Sequence, residues 1–242
     1  MSVEFTFSKE NLDLYLKELG KEFRKLSGKN AHAEMILIGG ASIILNYDFR
    51  SMTNDADAVI YTDATMKDAI NRVRDKYGLP DGWLNEDFKN TSSYTYKLRG
   101  ISVPYKTFSN ILHVRMITAE YLIAMKTMSG RQYKYDLSDI AGILYEHEKR
   151  GNPISRNNIN KAISELYGDN QIPKIARQYL DDLFRSDKRY DEIYTETRNN
   201  EKEAKSILLE VHKNQPGEVN KNNINEVILE AINKKRNTPP EK

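Results

Sequence analysis

The sequence predicts an α/β or α+β fold: a sheet domain flanked by helices, then a C-terminal helical domain. Two observations carry this. Up to Ile117, segments with apolar residues at helical spacing alternate with short apolar runs bounded by glycine and turn residues. From Thr118 onward only helical spacing recurs. The 242 residues suffice for one sizeable domain or two modest ones with a real core. The expected divisions are a sheet domain over 1–117, a helical domain over 118–186 and a polar helical tail over 187–242. The end of the tail, after about Asn237, is expected to be disordered.

The first helix is expected from Lys9 to Leu26, because Leu12, Tyr15, Leu16, Leu19, Phe23 and Leu26 share one face and Ser8 can cap the start. Met35 to Ile38 is a short apolar strand ended by Gly39-Gly40, followed by a compact helix from Ala41 to Asn46. Asp55 to Tyr61 is the next strand. Thr62 or Asp63 can cap a helix whose apolar face is Met66, Ile70, Val73 and Tyr77, with Gly78 past its end. Beyond the Pro80-Asp81-Gly82 turn, three strands are expected over Tyr94–Leu98, Ile101–Phe108 and Ile111–Ile117, with turns at Gly100 and Ser109-Asn110.

The helical part begins with Tyr121–Met128, ending near Gly130. Asp136 and Asp139 resemble a capping box for a helix running to Arg150. Ser155–Tyr167 follows, then Pro173–Phe184, with proline at a helix start. In the tail, Ile207, Leu208 and Val211, then Ile224, Val227, Ile228 and Ile232, predict two late helices. Asn-Asn-Ile-Asn opens a helix at both Asn157 and Asn222, too few occurrences for a repeat architecture.

Composition narrows the function classes. Charged residues are 30% and hydrophobic ones 39%, as in a polar, folded, soluble chain. No apolar run reaches the roughly 18 residues of a membrane span, and the N-terminus lacks a signal-peptide layout, so a cytoplasmic protein with no membrane partner is expected. The absence of cysteine excludes disulfides, thiolate nucleophiles and sulfur-ligated zinc. The net charge is only +2, but from Lys97 to Lys134 there are seven basic residues against one acid, Glu120. That stretch is either a local positive field for phosphates or a set of ordinary solvated faces.

The chemistry is concentrated between Ile36 and Asp57. A glycine pair between a strand and a helix turns sharply and presents amide hydrogens where the helix dipole favours an anion. Ser42 can add a hydroxyl donor. Asp55 and Asp57 are two apart, so a strand projects both carboxylates to one face. Their mutual repulsion disfavours the charged pair unless a cation lies between them. Magnesium, a hard ion taking oxygen ligands, would resolve that conflict and bind a nucleotide's phosphates. The alternative is a pair of exposed acids at a strand entrance, with Thr53 and Asn54 as turn formers.

Taken together, strand-Gly39-Gly40-Ala41-Ser42-helix followed by Arg50-x-x-Thr53-x-Asp55-x-Asp57 resembles the DNA polymerase β-like nucleotidyltransferase superfamily. More narrowly it is similar to the branch of AbiEii-type toxins from bacterial toxin–antitoxin and phage-defence systems. Gly82-Trp83-Leu84-Asn85, Ala119 to Lys126, Gly130-Arg131 and Asp136 to Ile140 are similar to that branch too; the likeness spans about Met35 to Leu144. The resemblance implies a nucleotidyltransferase mixed sheet flanked by helices. It implies transfer of a nucleoside monophosphate from a nucleoside triphosphate (ATP among the candidates) to an acceptor, RNA such as tRNA or a protein hydroxyl, and a toxin role with a cognate antitoxin. It places Mg2+ (or Mn2+) on Asp55 and Asp57 and the triphosphate on Gly39, Gly40 and Ser42. Lys126 would reach the phosphates, with Arg131 or Lys134 supporting phosphate or acceptor binding, Thr53 beside the nucleotide, and Arg50 paired with the aspartates or with substrate.

One departure stands out. The superfamily often carries a third carboxylate on a later central strand, yet Ile111 to Ile117 contains no acid, and His113 and Arg115 share the face where one is expected. Either His113 acts in its place, or the acceptor needs little activation, or the scaffold is a silent module that binds nucleotide, RNA or a partner protein.

Overall fold

The computed structural model describes residues 5–62, 64–168 and 172–214, together with 223, 224, 227, 228 and 230. Helix α1 (Lys9–Ser27) starts as expected. The Ser8 side chain accepts from the Asn11 amide while the Asn11 side chain accepts from the Ser8 amide, a reciprocal cap that satisfies two orphan donors. Strand β1 (Ala33–Leu37) leads directly into α2 (Gly39–Asn46), so the helix begins at the glycine pair rather than after it. Then come β2 (Ala56–Tyr61) and α3 (Thr65–Tyr77), closed by Gly78. Ala64 occupies the cap position of α3 and no side chain caps it; Thr62 therefore does not, and Asp63 lies outside the described residues.

The region after the Pro80 turn departs from expectation. A two-residue strand β3 (Leu84–Asn85) precedes a short 3-10 turn (Asp87–Asn90), and Tyr94–Leu98 is not a strand. Its tyrosine–threonine alternation has β propensity, but the backbone is claimed elsewhere: Tyr167 donates its hydroxyl to the Ser93 carbonyl at 2.6 Å, and Leu98 is fully buried at the start of a one-turn helix α4 (Leu98–Ile101). Gly100 thus lies inside α4 and not in a hairpin turn. Strands β4 (Ser102–Phe108) and β5 (Leu112–Ile117) form the expected hairpin through Ser109-Asn110, both at positive φ.

The sheet is five-stranded and mixed, in the order β3-β2-β1-β5-β4. Strand β1 pairs antiparallel to β2 and parallel to β5; β2 pairs parallel to β3, and β4 antiparallel to β5. Central β1 is apolar and buried except at Glu34, because both of its faces are covered. Met35 and Leu37 join the core under α1 and α3, whereas Ile36 and Ile38 join the core on the opposite face. That second core is built by α5 (Ala119–Ser129), α6 (Asp136–Lys149), α7 (Arg156–Tyr167) and α8 (Lys174–Arg185). The helices after Thr118 therefore share one apolar core with the sheet.

One feature of the helical part corrects the sequence reading. Asp136 and Asp139 form no capping box: Tyr135, in the left-handed region at φ 63°, holds the cap position, and both aspartates are fully buried. The first late helix is part of a 25-residue helix, α9 (Tyr190–Asn214), which lies along α6. The second late helix, the second Asn-Asn-Ile-Asn and the expected disorder after Asn237 lie largely or wholly outside the described residues. Among the described residues, no helix is long and apolar enough to cross a membrane.

Candidate functional site

At the C-terminal end of β1 only Ile38 separates the sheet from the first residue of a helix. The Ile38 amide donates to the Asp57 carbonyl at 2.9 Å, which fixes Gly39 beside Asp57. Gly39 adopts φ 57°, and a Cβ there would stand 3.4 Å from the Asp57 carboxylate. At Gly40 a Cβ would come within 2.2 Å of the Thr53 hydroxyl oxygen. Both positions thus require glycine, one for conformation and one for the close approach of the β2 entrance. Register does the rest: Asp57 lies opposite Asn85 of β3, so the acid is held between the glycine turn and the β3 end.

These elements wall a cleft of about 430 Å³. Asp55 and Asp57 both line it, together with Asp87 from the 3-10 turn. Burial first, then the neighbouring Asp55 charge, push the Asp57 carboxyl up to about 6; Lys126 and Arg131 pull the other way, and Asp87 adds to the rise. Among the described residues no group of three or more histidines and acids converges to hold a metal. Magnesium bound by two carboxylates, completing its shell with waters and phosphate oxygens, fits what is present.

The opposite wall is built from the C-terminal half of α5 and the start of α6 and holds a buried charge network. Lys126 is paired to Asp136 at 2.9 Å and to Asp139 at 2.8 Å. Arg50 reaches Asp139 at 2.8 Å across 89 residues of sequence, and Arg131 holds Asp136 at 2.8 Å. Arg198 of α9 stands 3.7 Å from the other Asp139 oxygen and stacks over the Tyr135 ring at 3.5 Å. Burial alone would lower the Lys126 ammonium; the charges of Asp139 and Asp136 outweigh it and raise it above the ordinary lysine value. Burial likewise opposes ionisation of Asp136, but Lys126 and Arg131 win and bring it down to about 2. Two buried carboxylates serve four cations.

The cleft gathers Gly39, Gly40, Arg50, Thr53, Asp55, Asp57, Lys126, Arg131 and Lys134 from the sequence-derived set. Ser42 is not among its lining residues: it is fully buried one turn into α2, and its hydroxyl makes no hydrogen bond. Arg50 pairs with Asp139 and not with the β2 aspartates, and its remaining nitrogens go to the Met52 carbonyl and Thr53. Of the basic stretch, Lys126, Arg131 and Lys134 meet at the cleft and the four earlier residues do not. Arg99 pairs with Glu34, Lys106 with Asp13, Lys97 donates to the Glu165 carbonyl, and Arg115 to Ser102. His113 is exposed, bonds Thr107 and does not line the cleft, so it is not placed to act as a base there.

Residues assigned no site role from the sequence also reach the cleft: Asn85, Asp87 and Lys205; Tyr133 and Tyr135, whose rings the sequence offered either for stacking on bases or for packing, line it from the α5–α6 connection. The 3-10 turn that places Asp87 carried no periodic signal. Lys205 sits in a helix whose polar composition hides which face docks.

A five-stranded mixed sheet flanked by helices, with two carboxylates beside a glycine turn at one cleft, is consistent with a nucleotidyltransferase fold. Residues 15–147 match the family model described as "Nucleotidyltransferase of unknown function (DUF6036)", over half the chain, and the protein belongs to that family. No curated protein matches the chain, and no solved structure does.

Proposed function

We propose that this protein is a magnesium- or manganese-dependent nucleotidyltransferase that moves a nucleoside monophosphate from a nucleoside triphosphate to an acceptor hydroxyl, releasing pyrophosphate. The single observation that supports the reading most is the meeting of Asp55 and Asp57 with the Gly39-Gly40 turn at one cleft. Asp55 and Asp57 would hold the ion. The bound ion would supply charge for phosphate binding and for activating the attacking oxygen. The first turn of α2 would present backbone amides to phosphate oxygens, with no Cβ at Gly39 or Gly40 to obstruct them. Tyr133 lines the same cleft and would be the side chain to stack on a base, since Arg198 already covers the Tyr135 ring. RNA is the acceptor class we favour, and a toxin role paired with an antitoxin rests on the sequence resemblance.

The test is incorporation of label from nucleoside triphosphates into total RNA with magnesium present. Wild type is expected to label RNA and Asp57→Ala to label none at equal folded concentration. Equal labelling by the two proteins would remove Asp57 from the chemistry. A second reading, a silent module that binds nucleotide without turnover, is favoured by one observation: β5 brings no acid to the cleft, and Asp87 does not converge with Asp55 and Asp57 as a metal-binding trio. Magnesium-dependent triphosphate binding with no product on RNA or protein acceptors would select it.

A further inference from the structure

Every cation that the sequence nominated for phosphate binding, save one, is already committed. Lys126, Arg50 and Arg131 neutralise Asp136 and Asp139. Lys134 and Lys205 also line the cleft, and among the described residues neither has a carboxylate partner. Lys205 comes from α9, outside the 15–147 segment that the family model covers.

Helix α9 is anchored in a way that fixes where Lys205 stands. Arg198, Glu201 and Lys205 follow at i, i+3 and i+7, one face of the helix. Arg198 stacks on Tyr135, and the Glu201 carboxylate accepts from the Leu137 amide at 2.9 Å and from the Ser138 amide at 3.4 Å, which caps the start of α6 from a distant helix. Ala204 and Ile207 are buried beside them. Lys205 therefore projects from a docked face, one turn beyond a buried anchor, into the cleft that holds Asp55 and Asp57.

We infer that Lys205 is a binding residue for the polyphosphate of the nucleotide, acting with Lys134, and that Lys126 is a structural counter-ion. This rests on the nucleotidyltransferase reading of the cleft. It adds that the tail helix completes the substrate site.

The experiment measures binding of the magnesium complexes of ATP, GTP, CTP and UTP to the full chain by calorimetry, and then of the monophosphate of whichever binds. Lys205→Ala is expected to weaken triphosphate binding roughly tenfold or more, the worth of one hydrogen bond to a charged group, and to leave the monophosphate unchanged. Lys205→Arg should restore most of the loss, and Lys202→Ala, on an exposed position of the same helix, should have no effect. If wild type binds a triphosphate and Lys205→Ala binds it equally well, the inference is overturned while the reading of the cleft survives. If Lys205→Ala weakens an RNA oligonucleotide but not the triphosphate, Lys205 serves the acceptor and the polyphosphate assignment is wrong. If wild type binds none of the four, the cleft is not a nucleotide site and the inference falls with it.

Discussion

Replacing Lys126 by methionine separates a structural from a substrate-binding role for this side chain. The ammonium is buried and holds both Asp136 and Asp139, each with no exposed side-chain surface. Methionine keeps the volume and removes the charge, leaving two buried carboxylates with only Arg131, Arg50 and Arg198 at their edges. Breaking a buried pair by removing one partner costs about 3–5 kcal/mol. For a chain of this size each kcal/mol moves the melting midpoint by roughly 2–4 °C, so a fall of about 6–20 °C is expected. The measurement is thermal unfolding followed by circular dichroism, at neutral pH and in acid. Asp136 is held at about 2, below its ordinary value of 3.8, so its contribution is complete above pH 3.8 and is lost as pH falls toward 2. The difference between wild type and variant should therefore shrink in that window. A variant that melts within about 2 °C of wild type yet binds nucleotide poorly would refute the argument, because it would mean that the ammonium serves substrate and not the fold.

Gly40→Ala drives a methyl group into the Thr53 hydroxyl, and the overpacking should cost about 1–3 kcal/mol, read as a lower urea midpoint at unchanged slope. Glu201→Gln keeps an oxygen for the Leu137 and Ser138 amides. Burial pushes the Glu201 carboxyl up from 4.5 to about 7 against the pull of those amides, so its contribution is complete below pH 4.5 and is lost as pH rises through 7. The wild-type midpoint should therefore fall relative to the glutamine variant between pH 5 and about 8; parallel pH profiles would count against the burial account. Ser8→Ala removes the reciprocal cap of α1 and should cost about 1 kcal/mol in a denaturant titration.

The fold was legible wherever periodicity and punctuation agreed. Lys9–Ser27, the β1–α2 junction, the β4–β5 hairpin and α5 to α8 all have apolar faces bounded by glycine, proline or a capping serine. The stretch before Leu98 was misread because local β propensity is indifferent to whether a sheet edge is on offer. At the cleft, the glycine turn and the Asp55–Asp57 pair were readable because both depend on neighbours within a few residues. Asp136 and Asp139 were not. At a helix start, acids have an ordinary explanation in the dipole, and only the arrival of Lys126, Arg50 and Arg198 from remote segments shows that they are buried counter-charges. Lys205 was invisible for the same reason, since its importance lies in where a distant helix comes to rest.

The attachment of α9 across the start of α6 means that a chain cut ahead of Tyr190 would retain all of the segment the family model recognises and still be incomplete. The Leu137 and Ser138 amides would lose their acceptor, Tyr135 would lose the Arg198 guanidinium over its ring, and the cleft would lose Lys205 from its lining. A fragment chosen by sequence likeness alone would therefore be a poor reagent for any assay of this protein, and α9 belongs in every expression boundary drawn for it.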